Sequence, residues 1–432
     1  MSQQKSPIVM SEAVVAEEVA RLQKDKIRIA VVSEHSDSYS DYVRYALALG
    51  SLSMQDFVGV AVFKWDDLVN ENEKALRLLA DADLVLVRAV GDPRAVRLME
   101  HVRAAGVPCV VDIDDDLWNV NPCNPSYAML GTEEYYQEGP NGEKVPVWVK
   151  GDVYGGFHGS PDIPFDPERN IRTLDKIRYG IEMADLITTT TERFAAHLRT
   201  MNPNVAVLPN PVDTTMWKVG RMPRPGFRIL WQGGDSHLLD LQLIGQAVVQ
   251  FLLAHKDATF VTCGWVPEKF RKALPPAQHE HYEWAPPVAY PWMVMTLGAD
   301  HGLAPLTGHK FNQHKSSIKW EEYGAMGVPC SASKVPPYSD TILHGADGFL
   351  VKDGDWRAHL EWVYEHRDLC RRVGLEARDR VEKEFSCARL AGRWLFAYRK
   401  VIDQVRLNRN PTVYPFLGGS SNPPVFDSKE VA

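Results

Sequence analysis

The sequence predicts an α/β chain built as two doubly wound parallel units that face each other across a cleft. Three observations predict it. Short Val/Ile/Leu runs alternate with helical patterns of about ten to fifteen residues, first up to residue 208 and again from residue 227. Such apolar runs are what a parallel strand buried on both faces requires. A polar stretch at 214–226, carrying Arg221-Met222-Pro223-Arg224-Pro225-Gly226, separates the two series as a linker. The length of 432 residues exceeds one ordinary domain and suits two.

In the first series the strands fall at 27–33, 58–63, 83–87, 107–113, 186–189 and 205–208. Helices follow from about 40, at 65–80, 93–105 and 172–184, and from 191. Residues 116–165, rich in Gly, Pro, Tyr and Asn, read as an insertion or lid. In the second series the strands fall at 227–231, 258–263, 301–304 and 329–332, with helices at about 238–254, 313–325 and, interrupted, 355–402. The domain plan is therefore 1–213, a linker at 214–226, a second domain at 227–385, and at 386–432 a helix returning to the first domain plus a polar tail. Ligands of doubly wound sheets sit beyond the carboxyl ends of the strands, so two facing units place a site between them.

Composition narrows the function. A net charge of −8 weighs against broad nonspecific binding to nucleic acid and leaves room for a local basic groove. Six cysteines form no CxxC pair, and Cys109, Cys263 and Cys330 sit in strand-like runs, which predicts reduced core thiols in a cytoplasmic protein. The first residues carry no apolar signal-peptide region. No run approaches the ~18 apolar residues of a bilayer span, so no transmembrane segment is expected and a lipid acceptor would be met peripherally, at the membrane surface. Hydrolase elbow, P-loop and zinc spacings are absent.

The segment 299–351 carries the most chemistry. It contains Ala299-Asp300-His301-Gly302-Leu303-Ala304-Pro305-Leu306, then Phe311-Asn312-Gln313-His314-Lys315-Ser316-Ser317-Ile318-Lys319-Trp320-Glu321-Glu322-Tyr323, then Gly327-Val328-Pro329, Ser331-Ala332-Ser333 and Gly345-Ala346-Asp347-Gly348-Phe349-Leu350-Val351. Asn312 to Ser317 suit a helix start, whose free N–H groups and dipole receive an anion. On a helix over 313–325, Lys315, Lys319 and Glu322 fall at i, i+4 and i+7 and share one face. Two cations there suit a diphosphate, and a carboxylate two turns on suits a ribose diol. On residue types alone, a solvated Glu–Lys face with Lys319 and Glu322 paired is the alternative.

This segment resembles the donor-binding half of retaining GT-B glycosyltransferases of the group-1 (family 4) type, with their DxGLAPL, FNxxKSxxKxxEY, GxPxxAS and closing GxxGxLV patterns. Two further stretches are similar: Leu208-Pro209-Asn210-Pro211-Val212-Asp213, like the family's PNGVD with Pro211 for Gly, and Gln232-Gly233-Gly234-Asp235-Ser236-His237-Leu238-Leu239-Asp240, like its first donor-domain loop. The resemblance implies two facing Rossmann-like domains and a nucleotide diphosphate sugar as co-substrate, with no metal or other cofactor. It also implies transfer to a hydroxyl with retention, and donor contacts from Asn210, Gly233, Gly234, His237, His314, Lys315, Ser316, Lys319 and Glu322. One departure matters: eight residues before Glu322, where many relatives have a first Glu addressing the sugar, stands His314.

The strand Cys109-Val110-Val111 runs into Asp112-Ile113-Asp114-Asp115-Asp116-Leu117-Trp118, similar to a D-x-D-D-x-L-W element in the acceptor half of some relatives. Three readings stay open: a divalent-metal site, a catalytic role for Asp112, Asp114 and Asp115 with Trp118 at the acceptor, or a helix cap. His35, Tyr42 and Arg44, at and after the end of the first strand, are candidate contacts to the acceptor or the leaving diphosphate, or a plain cap. The resulting expectation is a glycosyltransferase acting on a cell-envelope glycan, free or lipid-linked. A hydroxymethylated base in DNA is an alternative acceptor, and a noncatalytic nucleotide-sugar or carbohydrate-binding module is an alternative class.

Overall fold

The computed structural model describes residues 26–33, 38–64, 79, 81–88, 93–138, 141–149, 152–153, 165–217 and 220–408. His35, nearly all of the helix expected at 65–80, and part of the insertion at 116–165 lie outside them.

Among the described residues two six-stranded parallel sheets form. The first takes β1 (Ile27–Ser33), β2 (Val58–Lys64), β3 (Leu84–Val87), β4 (Cys109–Asp112), β8 (Leu186–Thr189) and β9 (Val205–Val207) in the order β2-β1-β3-β4-β8-β9. The second takes β10 (Phe227–Gly233), β11 (Ala258–Gly264), β12 (His279–Tyr282), β13 (His301–Ala304), β14 (Cys330–Ser333) and β15 (Phe349–Val351) in the order β12-β11-β10-β13-β14-β15. In both sheets the order reverses beside the first strand, between β1 and β3 and between β10 and β13, which is where such folds bind ligands.

Burial explains the pattern of apolar runs. β3, β4, β10 and β13 are buried along their whole length, because helices cover both faces of each sheet. The helix Cys387–Asn408 packs on the helix Leu47–Met54 and buries Trp394, Leu395, Tyr398, Val401 and Ile402 in the core behind β1. One helical stretch, Asp235–Ala254, is by length and composition apolar enough to cross a membrane. Here it packs on β11 and on the helix Trp356–Glu365 and carries the buried Asp240. All six cysteines are free thiols.

The sequence departs from the structure in identifiable places. β12 reads His-Glu-His-Tyr and is only half-buried at a sheet edge, so it lacks an apolar signature. β15 is three residues long. Within 116–165, β5 (Tyr135–Glu138), β6 (Lys144–Val149) and β7 (Asp152–Val153) form a small antiparallel sheet. The helix expected at 313–325 is two helices, Lys310–Gln313 and Ile318–Ala325. The break has identifiable causes. Asn312 is tied by its side chain to Asp240 and Thr307, and His314 is drawn to the other domain by Asp116. Lys315 therefore precedes the helix instead of sharing its face with Lys319 and Glu322. The helix Ile318–Ala325 lies directly on β13, since a Cβ at Gly302 would come within 2.6 Å of the Tyr323 ring.

Candidate active site

A cavity of about 730 Å³ lies between the two sheets at their carboxyl ends. Tyr39 and Ser40, beyond β1, and Asp114 and Asp115, beyond β4, line one wall. Gln232, Gly233 and Gly234 at the end of β10, Leu306 beyond β13, and the start of the helix Ile318–Ala325 line the other. Lys315, Ser316, Lys319 and Glu322 all face this space.

On the second-domain wall the charges are held in order. His237 donates through Nδ1 to Asp240 at 2.7 Å, and its Nε2 accepts from Lys319 Nζ at 2.8 Å. Burial, with Lys319 adjoining, lowers His237 to about 4, so the ring is neutral and this is the tautomer the bonds require. Burial and the nearby Lys315 lower Lys319 to about 8. Lys315 Nζ sits over the Phe311 ring at 4.5 Å and reaches Asp115 across the cleft at 3.5 Å. A buried ammonium with a second one beside it makes this a place that suits an anion. The helix start at Ser317 adds dipole to the same spot.

Glu322 is buried and accepts from two domains: from the Tyr39 hydroxyl on Oε1, and from Gln232 Nε2 on Oε2 at 2.6 Å. Burial raises it to about 7. Its neighbour Glu321, also buried, is raised by burial to about 8 and receives only Ser317 Oγ, at 2.8 Å, while its Oε2 has no partner among the described residues. A carboxyl whose folded pKa exceeds its unfolded value stabilises the fold below the unfolded pKa, and that stability is lost as pH rises through the folded pKa. Glu321→Gln is therefore expected to melt higher than the wild type near about pH 9 and to flatten the decline between about pH 5 and that value. Thermal melts across this range check it, and parallel curves would contradict it.

On the first-domain wall, Asp114 accepts from Ser40 Oγ at 2.7 Å and from Arg88 at 3.4 Å. Burial raises its pKa, but Arg88, Arg44 and Ser40 outweigh burial and hold the carboxyl below the usual range. Asp115 is raised by burial against the pull of Lys315, with Asp114 adding to the rise. Asp112 does not share this position. It is 2% exposed, paired with Arg44 at 2.7 Å and with Arg88, and takes the Thr188 hydroxyl at 2.6 Å. Arg44 is itself wholly buried, under Trp394. Both positions differ from expectation: the ion pair is sealed beneath the cleft floor and lines no part of the cavity.

Other expected contacts also move. His314 is buried against Phe194 and His197 and bonds to Asp116 at 2.7 Å, so it joins the domains and does not line the cavity. Tyr42 turns to Met216, at 3.2 Å, in a crevice below the cleft. Trp118 packs on the first-domain core with its edge to His197. Asn210 lines the cavity and spans the domains, accepting from Arg44 at 2.9 Å and donating to Ser316 at 2.9 Å. Tyr39, Ser40, Gln232, Trp284 and Tyr290, none of them a site residue expected from the sequence, also line the cleft. Gln232 was readable as the last polar residue before a strand-end glycine pair. Tyr39 and Ser40 were readable as the residues opening the helix beyond β1. Trp284 and Tyr290 follow β12, the strand that left no signal.

Solved structures share this architecture. HepE of Anabaena, solved in complex with UDP, matches with a TM-score of 0.54 at 12% identity, over 89% of this chain and 100% of that one. Sucrose-phosphate synthase of Thermosynechococcus elongatus matches with a TM-score of 0.57 at 12% identity, over 88% of this chain and 100% of that one. A glycosyltransferase of Rickettsia africae matches with a TM-score of 0.53 at 12% identity, over 88% and 99%. The fold is GT-B. At these identities the likeness concerns the fold. A scan against protein-family models found no match, and a search of curated proteins found none either. Among the described residues of this GT-B chain, no three His, Cys, Asp or Glu side chains are grouped to hold a metal ion.

Proposed function

We propose that this chain is a glycosyltransferase that takes a sugar from a nucleoside diphosphate and passes it, with retention, to a hydroxyl of a cell-envelope glycan or glycolipid at the cytoplasmic membrane surface. One observation carries the reading. Lys315, Lys319 and the start of a helix converge on one spot of an interdomain cleft, with the Glu322 carboxylate beside them. The lysines and helix dipole receive the diphosphate and stabilise its charge as it leaves. Glu322 accepts the ribose hydroxyls. Asp115, in reach of the same space, takes the proton of the incoming hydroxyl, and Asp114 holds the local charge fixed. The GT-B neighbours that carry UDP or UDP-glucose support this class of donor.

The test is release of UDP, GDP or ADP from a panel of sugar nucleotides, with acceptor products read by mass spectrometry. Absence of release from every donor would leave only a binding module. Lys315→Ala and Lys319→Ala are each expected to weaken donor binding by about 1.5–3 kcal/mol, the loss of one charge-assisted hydrogen bond. Calorimetric titration checks this, and unchanged affinity in both variants would remove the lysines from the site.

A further inference from the structure

We propose that Tyr39 is a built-in competitor for the nucleotide, its hydroxyl standing on Glu322 where a ribose hydroxyl binds and leaving when the nucleotide enters. The inference rests on the function proposed above and adds an occupant to its ribose site. Both Glu322 oxygens are engaged, Oε1 by the Tyr39 hydroxyl and Oε2 by Gln232 at 2.6 Å. The two bonds differ in kind. Gln232 and Glu322 belong to the same domain, on β10 and on the helix Ile318–Ala325. Tyr39 comes from the other domain, on the first residue of the helix beyond β1.

A carboxylate that accepts a vicinal diol needs both oxygens reachable from the cavity, and Tyr39 projects from the facing wall onto one of them. Its ring is edge-on to Tyr290 at 5.1 Å and beside Trp284 at 6.4 Å and 26°. Trp284 is 43% exposed and Tyr39 is half-buried, lining the cavity. A neutral hydroxyl donating to a buried carboxylate, on a flat ring, reproduces the donor chemistry of the sugar alcohol it would exclude. Burial and the Glu322 charge keep that hydroxyl protonated, and hence a donor, far above neutral pH. Because the bond crosses the cleft, displacing Tyr39 also releases one tie between the domains.

Tyr39→Phe keeps the ring and removes the competing hydroxyl. The variant is expected to bind the preferred nucleoside diphosphate about three- to tenfold tighter than the wild type, the equivalent of one net hydrogen bond no longer displaced. The gain is expected for the ribonucleotide, to be smaller for its 2′-deoxy form, and to be absent for inorganic pyrophosphate. Melting without ligand is expected to fall, since Glu322 loses a donor, and a merely structural tyrosine would give that fall with no gain in affinity. Calorimetry on the full chain with UDP, GDP and ADP reads these arms, and Tyr39→Met serves if the phenylalanine variant does not fold. Unchanged or weaker ribonucleotide binding, or an equal gain for pyrophosphate, overturns the proposal while the function above stands. Failure of the wild type to bind any of the three overturns both.

Discussion

Asp115→Asn is expected to lower turnover by about 10²–10⁴-fold, the usual worth of a positioned proton acceptor, while nucleoside diphosphate affinity is kept or slightly improved. The substitution removes the basic oxygen but not the shape, and it frees Lys315 from the pair at 3.5 Å. Asp114→Asn is expected to be the milder of the two, because Asp114 is already committed to Ser40 and Arg88. A pH profile adds a second readout. The base works ionised, so wild-type turnover falls as pH drops through the Asp115 pKa, which lies above the ordinary carboxylate range. The low-pH limb is expected to vanish in the residual activity of Asp115→Asn. Chelator is expected to leave the rate intact. Loss of activity with EDTA, restored by Mg²⁺ or Mn²⁺, would return the acidic cluster to the metal reading. Equal turnover in the variant would remove Asp115 from the chemistry.

Asp112→Ala is expected to destabilise the fold by roughly 3–5 kcal/mol, because it leaves buried guanidinium charge without its counter-ion. Arg44 loses two hydrogen bonds, at 3.1 and 2.7 Å, and Arg88 and Thr188 lose one each. Arg44 keeps only Leu208 O and Asn210 Oδ1 as acceptors. A large fall in melting temperature is the expected result. A solvent-exposed pair gives the contrast: Lys26–Asp56, with the Asp56 side chain 83% exposed, should cost at most about 1 kcal/mol when broken. A stable Asp112→Ala protein with lost turnover would instead give Asp112 a direct chemical role.

The two parallel sheets were legible because strands buried on both faces carry short apolar runs, as at residues 29–32 and 229–231. Edge strands such as His279–Tyr282 leave none, and the aromatic group that follows was hidden with it. Lys315, Lys319, Ser316, Glu322, Gly233 and Gly234 were expected at the cleft from one short segment and one loop, and they lie there. Asp112, Arg44 and His314 were expected there too and lie in buried interactions. Residue type does not separate these groups. An aspartate at a strand end can face a ligand or an arginine below it, and only the partner's position decides. Three consecutive aspartates take three fates here: Asp114 half-tied at the wall, Asp115 toward Lys315, and Asp116 sealed against His314. The break of the helix before Ile318 was equally hidden, since the partners that hold it, Asp240 on Asn312 and Asp116 on His314, are distant in sequence.

The central claim is that Lys315, Lys319 and Glu322 form the seat of a nucleoside diphosphate. Titration calorimetry of UDP, GDP and ADP into the wild type and into a Lys315→Ala/Lys319→Ala double variant tests it most directly. One of the three is expected to bind the wild type at a single site, and the double variant to bind it at least about a hundredfold more weakly while melting normally. Binding that survives the double substitution, or no binding of any of the three to the wild type, would contradict it.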